Sequence, residues 1–239
     1  MDGIMRIINW KTKAAAAFCA LAVILAAAAF YRNLLWKSDI PLWLDVVEKS
    51  AVNARARNNL GFAYYESGQN DAAIEEYMAA LNLKPDFVDA YNNLGVVFYE
   101  TGRPLEAIRV YEKALAINPY FAKGRNNFGT AYFTAGMLTE ALREYTEAVR
   151  LDPASVKAHN NLGVGYYALG RFDEAIEEFS ISLRLDPVFV ESRYNLGMAY
   201  MKKGFFGEAA RELEATLLID PRHERARSAL SALKVNPAQ

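Results

Sequence analysis

The chain has 239 residues, 53% of them hydrophobic, and 27 Lys and Arg stand against 28 Asp and Glu for a formal charge of −1. That apolar content is ample for a packed core and excludes a disordered chain, while the balanced charge supplies no overall basic field and argues against nucleic acid as a partner. The single cysteine, Cys19, excludes an intramolecular disulfide and a cysteine-based zinc site.

Residues 1–13 form a basic leader containing Arg6, Lys11 and Lys13. Residues 14–31 follow as an expected transmembrane anchor, because Ala14 to Phe30 carries no polar side chain. At 1.5 Å per residue this run reaches about 25 Å as a helix, marginal for a bilayer core unless Thr12 and the flanking lysine stems extend it. Trp10 on one side and Tyr31 with Trp36 on the other suit interfacial aromatic belts. The rival reading is a cleaved signal peptide with its small-residue site at Ala26 to Ala29. The aromatic belts favour the uncleaved anchor. Arg32 and Lys37 follow the run closely, so the positive-inside bias toward a cytoplasmic N-terminus is slight. Residues 32–53 form a juxtamembrane segment and a capping helix, marked by the helical spacing of Leu42, Trp43, Val46 and Val47.

From residue 54 to residue 223 the chain repeats with a period of 34, in copies spanning 54–87, 88–121, 122–155, 156–189 and 190–223. Gly61, Gly95, Gly129, Gly163 and Gly197 form one column, and Gly68, Gly102, Gly136, Gly170 and Gly204 a second. Pro85, Pro119, Pro153, Pro187 and Pro221 form a third, and Ala73, Ala107, Ala141, Ala175 and Ala209 a fourth. Within a copy, a first helix carries apolar residues three and four apart, such as Leu60, Ala63 and Tyr64, and stops at the second glycine. A second helix runs on to the proline, where it can no longer continue. The first glycine and the alanine are small residues where the two helices cross. One such hairpin cannot bury its own apolar face, so the copies must stack.

Asn-Asn-Leu-Gly-Phe-Ala-Tyr-Tyr from Asn58, then Gly68, Ala73, Tyr77, Ala80 and Pro85, resembles the tetratricopeptide repeat, and the likeness recurs in every copy. It implies an all-α fold: a right-handed α-solenoid of five 34-residue helix-turn-helix repeats with capping helices, here preceded by one N-terminal transmembrane helix. Residues 224–239 are then the C-terminal capping helix and tail, with Leu230 in register and Ser231 in place of glycine. Early in the first helix, where the family often has a bulky aromatic, only Tyr91 complies; Arg57, Arg125, His159 and Arg193 depart. The stretch from Arg32 through Trp36, Trp43, Asp45 and Asn53 to Gly61 resembles the junction in polytopic glycosyltransferase-type membrane proteins whose repeat tail faces away from the cytoplasm. That resemblance implies a periplasmic or extracytoplasmic position for the repeats and names an accessory glycosyltransferase subunit as the alternative function.

Asn59, Asn93, Asn127, Asn161 and Asn195 recur one residue before the buried Leu or Phe of the first helix and should face a groove. A primary amide carries donors and an acceptor, so a row of them can bind the backbone of an extended peptide, as the asparagine ladder in the groove of O-GlcNAc transferase does. The bland alternative is a family habit of sequence. Tyr65, Tyr99 and Tyr167 either floor the groove or belong to the core between repeats. Arg55, Lys123 and Lys157 are basic groove candidates, mixed with Asp89 and Glu191. The carboxylate clamp of chaperone-binding relatives is not reproduced, because Asn58, Phe62 and Asn127 replace its residues. No catalytic constellation emerges. His159 and His223 lie far apart, Gly163 and Gly165 lack the context of a phosphate loop, and the pairs Glu75-Glu76 and Glu177-Glu178 read as a solvated convex face. The expectation is therefore a non-catalytic, membrane-tethered scaffold that binds a protein or peptide and assists assembly of an envelope complex. It needs no cofactor, no metal and no small-molecule substrate.

Overall fold

The computed structural model describes residues 39–235, together with 21–23 and 25–26, which are helical. The rest of the expected anchor over 14–31 lies outside the described residues. Among those described, no helix is long and apolar enough to cross a membrane.

From residue 39 to residue 235 the chain is helical with short connections. α1 (Ile40–Lys49) precedes the hairpin of α2 (Ala54–Glu66) and α3 (Asn70–Leu83). Four more hairpins follow: α4 (Val88–Glu100) with α5 (Pro104–Ile117), α6 (Ala122–Thr134) with α7 (Leu138–Leu151), α8 (Val156–Ala168) with α9 (Phe172–Leu185), and α10 (Val190–Lys203) with α11 (Phe206–Ile219). α12 (Glu224–Val235) comes last. Among the described residues there is no strand.

Local chemistry explains where the helices start and stop. The Asn53 side chain accepts a hydrogen bond from the Ala56 N–H at 3.1 Å, and Ser155 accepts from the Ala158 N–H at 3.3 Å, each relieving an unpaired donor at a helix start. The first helix of every hairpin ends at a left-handed glycine, with φ between +74° and +78° at Gly68, Gly102, Gly136, Gly170 and Gly204. The residue after each glycine closes the turn by donating back into the last turn of the helix, as from Met137 to the Tyr132 carbonyl at 2.9 Å.

The hairpin crossing depends on what the other glycine column lacks. A Cβ on Gly129 would lie 2.6 Å from the Tyr145 ring and 3.1 Å from the Ala141 carbonyl oxygen. Gly61, Gly95 and Gly163 meet Tyr77, Tyr111 and Phe179 in the same way, whereas Gly197 meets Leu213 at 3.1 Å. Tyr77, Tyr111 and Phe179 are at most 1% exposed, and each sits in the middle of its second helix beside an alanine that is fully buried.

The chain divides into two compact units, Met1–Lys84 and Pro85–Gln239. In the first, α1 lays Val47, with Trp43 and Val46 beside it, on Ala56 and Leu60 of α2, which covers one side of the α2–α3 hairpin. In the second, each second helix packs on the first helix of the next hairpin, and the first helices α4, α6, α8 and α10 also touch in series. The second helices form no comparable series, so this unit bends toward its first helices and presents them as a concave face. α12 closes its far end, with Ala226 and Leu230 buried on Leu213.

Adding one carbon at Gly129 (Gly129→Ala) is expected to destabilise the second unit by about 1–3 kcal/mol in urea unfolding, despite the better helix propensity of alanine. At Gly197 the contacts are looser, 3.1 Å to the Leu213 side chain and 3.5 Å to the Ala209 carbonyl oxygen, so Gly197→Ala should cost clearly less. Equal losses at the two sites would show that ring-on-glycine contact does not set the crossing.

Candidate functional site

The residues that break the family pattern early in the first helix turn out to be one device. Arg57 bonds Glu76 at 2.9 Å, Arg125 bonds Glu144 at 2.6 Å, His159 meets Glu178 at 2.6 Å and Arg193 bonds Glu212 at 2.8 Å. Each pair is nineteen residues apart and ties the first helix of a hairpin to its second. The same side chains also reach back to the carbonyl six residues earlier: Ala51 for Arg57, Pro119 for Arg125, Pro153 for His159 and Pro187 for Arg193. Each therefore staples the entry loop as well as the hairpin. In the second repeat the two positions hold Tyr91 and Val110, an apolar pair in place of an ion pair. This corrects the reading of Glu75-Glu76 and Glu177-Glu178 as a solvated face. Glu75 and Glu177 are exposed, but Glu76 and Glu178 are half-buried and committed to these clamps.

The asparagines also differ from expectation. They are half-buried rather than exposed, because they bond to the asparagine column just before them. In the second unit Asn127 donates to the Asn92 amide oxygen, Asn161 to that of Asn126 and Asn195 to that of Asn160, each at 3.0 Å. Asn160 passes a bond on to Asn161 at 3.2 Å, and Asn92 to Asn93 at 3.4 Å. In the first unit Asn58 donates to Asn59 at 3.3 Å. Asn92 is 3% and Asn160 8% exposed, so their amides need these partners. The row thus ties repeat to repeat before it can serve any ligand. The missed signal was the adjacent column Asn58, Asn92, Asn126 and Asn160, whose amides lie between the helices.

Two cavities open between first helices of the second unit. One, of about 390 Å³, lies where α6 and α8 begin and brings together Lys123, Asn127, Asp152 and Lys157. Both lysines are exposed, and among the described residues neither forms an ion pair. The other, of about 160 Å³, is lined by Val164, Tyr167, Phe179, Tyr194, Asn195 and Met198. Tyr167 stands edge-on to Phe172 with centroids 5.4 Å apart, so it belongs partly to the core and partly to the wall of this cavity. Tyr99 is half-buried near Tyr145. Burial pushes the Tyr145 phenol up to about 12 and keeps it neutral as it donates to the Thr130 hydroxyl at 3.2 Å. Arg55, Asn59 and Tyr65 belong to the first unit, where Tyr65 lies 6.2 Å from the Phe62 ring and Arg55 is exposed. Among the described residues no group of three His, Cys, Asp or Glu is placed to hold a metal ion.

The domain family described as Cilia and flagella-associated protein 70 C-terminal domain matches residues 12–239. The chain belongs to this tetratricopeptide-repeat family. Solved structures of similar fold include YrrB, described as a TPR protein with an unusual peptide-binding site, at 24% identity and a TM-score of 0.62 over 78% of this chain and 96% of that one. TTC0263, a thermophilic TPR protein of Thermus thermophilus, is 23% identical with a TM-score of 0.63 over 77% of this chain and all of its own. PilF of Pseudomonas aeruginosa is 24% identical with a TM-score of 0.63 over 78% of this chain and 93% of that one. At these identities the likeness is one of fold. The comparison with curated proteins gives no match.

Two outcomes test the polar framework of the tetratricopeptide repeats. Asn161→Ala removes a donor from Asn126 and an acceptor from Asn160, and should destabilise the second unit by about 1–3 kcal/mol in denaturant unfolding, while exposed Glu177→Ala stays within about 0.5 kcal/mol of the parent. Giving the third repeat the pair found in the second (Arg125→Tyr with Glu144→Val) should restore most of what Arg125→Tyr alone loses, since the single change leaves the buried Glu144 carboxylate with only the exposed Arg143, 3.1 Å away, at a cost of about 1–3 kcal/mol. Additive losses in that double-mutant cycle would dissolve the clamp as a unit.

Proposed function

We propose that this chain is a tethered scaffold that holds an extended segment of a partner polypeptide against the concave first-helix face of its second unit. The observation that carries this reading is the cavity joining Lys123, Asn127 and Lys157, where two exposed ammonium groups that the fold does not use stand beside an amide that commits one donor to the preceding repeat. A further support is that the fold neighbour YrrB is described as having a peptide-binding site. The apolar run from Ala14 to Phe30 between aromatic and basic flanks supports an uncleaved membrane anchor, with the repeats on the extracytoplasmic side and assembly of an envelope complex as the task. An accessory role in a glycosyltransferase system ranks second, since only the junction resemblance of residues 32–61 favours it.

A photoreactive residue in place of Lys123, introduced into the full chain in cells, should crosslink one contiguous segment of a partner, and the adduct should sediment with membranes. The same residue in place of Glu112, exposed on the second helix of its hairpin, should give no adduct. Adducts from Glu112 with none from Lys123 would move the binding face to the convex side. A soluble Lys123 adduct would remove the tether from the reading.

A further inference from the structure

Resting on that reading, the structure assigns a chemical signature to the segment: one carboxylate and one bulky apolar side chain, spaced about five residues apart. The amide row limits how far backbone recognition alone can go. Each of Asn127, Asn161 and Asn195 already spends a donor on the preceding repeat, so discrimination falls to groups without such duties.

Those groups are of two kinds and occupy different places. In the larger cavity Lys123 and Lys157 face solvent with no ion-pair partner among the described residues, and Asp152 has its Oδ1 engaged by the Ala154 N–H at 3.3 Å. Two cations and one anion leave one net positive charge there. At the same register one repeat to either side stand Asp89 and Glu191, so along the second unit the column reads acidic, basic, basic, acidic. A carboxylate on the ligand is therefore drawn to the middle and repelled from both flanks. The smaller cavity is lined by Val164, Tyr167, Phe179, Tyr194 and Met198 together with Asn195, and suits one branched or aromatic side chain.

The two cavities share α8. The larger touches its first turn at Val156 to Ala158, and the smaller touches Val164 and Tyr167. Roughly eight or nine residues of helix at 1.5 Å each separate them along the axis by roughly 13 Å, and one helix spacing of roughly 8–10 Å separates them sideways. The diagonal, roughly 16 Å, corresponds to about five residues of extended chain at roughly 3.3 Å each.

An array of synthetic thirteen-residue peptides tests this with the purified full chain in detergent. Each peptide carries one Leu and one Glu, Gln or Lys on a Gly-Ser-Ala background, with spacings from one to eight in both orders. Binding should peak for Glu at a spacing of four to six, in one order, and exceed Gln by roughly tenfold. In the variant Lys123→Glu with Lys157→Glu, both at exposed positions, the Glu preference should vanish or pass to Lys. Met198→Ala should weaken every Leu peptide without changing the charge preference. Peptides bound regardless of charge and spacing would overturn the signature while leaving polypeptide binding in place. Peptides bound nowhere would overturn the binding reading and the signature with it.

Discussion

The fold rests on a missing atom. Where the two helices of a hairpin cross, the backbone of one lies flat against an aromatic ring of the other, and at Gly129 even a methyl group would intrude to 2.6 Å from that ring. Dispersion at such a contact is strong only while nothing separates the surfaces. The crossing fixes the angle of each hairpin, and the angle fixes how its second helix meets the next first helix. From there the concave face, the asparagine row and the placement of the lysines follow. Leu213, where the other hairpins have Tyr or Phe, relaxes this geometry in the last repeat, next to the closing helix.

Around that apolar joint the chain places its charges with care. A carboxylate such as Glu144, 3% exposed, can be kept inside because Arg125 meets one of its oxygens and Arg143 the other, and Arg125 also binds a loop carbonyl. The clamp then secures the turn between repeats as well as the hairpin. Tyr91 with Val110 does without it, which shows that the joint accepts either a paired charge or none. The polar surface of the concave side is thus divided between groups that maintain the stack and groups that are spare.

Much of the fold could be read from the sequence, because glycine, proline and alanine columns each have a single mechanical use. The left-handed helix ends at Gly68 and its counterparts and the tight crossings at Gly61 and its counterparts both lie where the period put them. The site was harder to read. Periodicity locates Asn127 and Asn161 on one face of a helix but does not say whether their amides meet solvent or the neighbouring repeat, since that depends on how closely two first helices approach. Arg57, Arg125 and Arg193 read as departures because the pattern of a single helix does not show what faces that slot from the next. Comparing each with the residue nineteen positions later, where Glu76, Glu144 and Glu212 stand, would have exposed the pairing. Lys123 and Lys157 were legible as basic groove residues, but the cavity that unites them required coordinates.

The amide row has a direction. In each bond between repeats the later repeat donates and the earlier accepts, and from Asn195 the relay runs through Asn160 and Asn161 to Asn126 without reversing. Helix dipoles largely cancel in an antiparallel hairpin, whereas amide dipoles linked head to tail reinforce one another. The concave face of the second unit therefore carries a polarity along the stack that its helices lack. An extended backbone laid across it would meet different electrostatics in its two orientations, so that N-to-C direction becomes something this surface can tell apart.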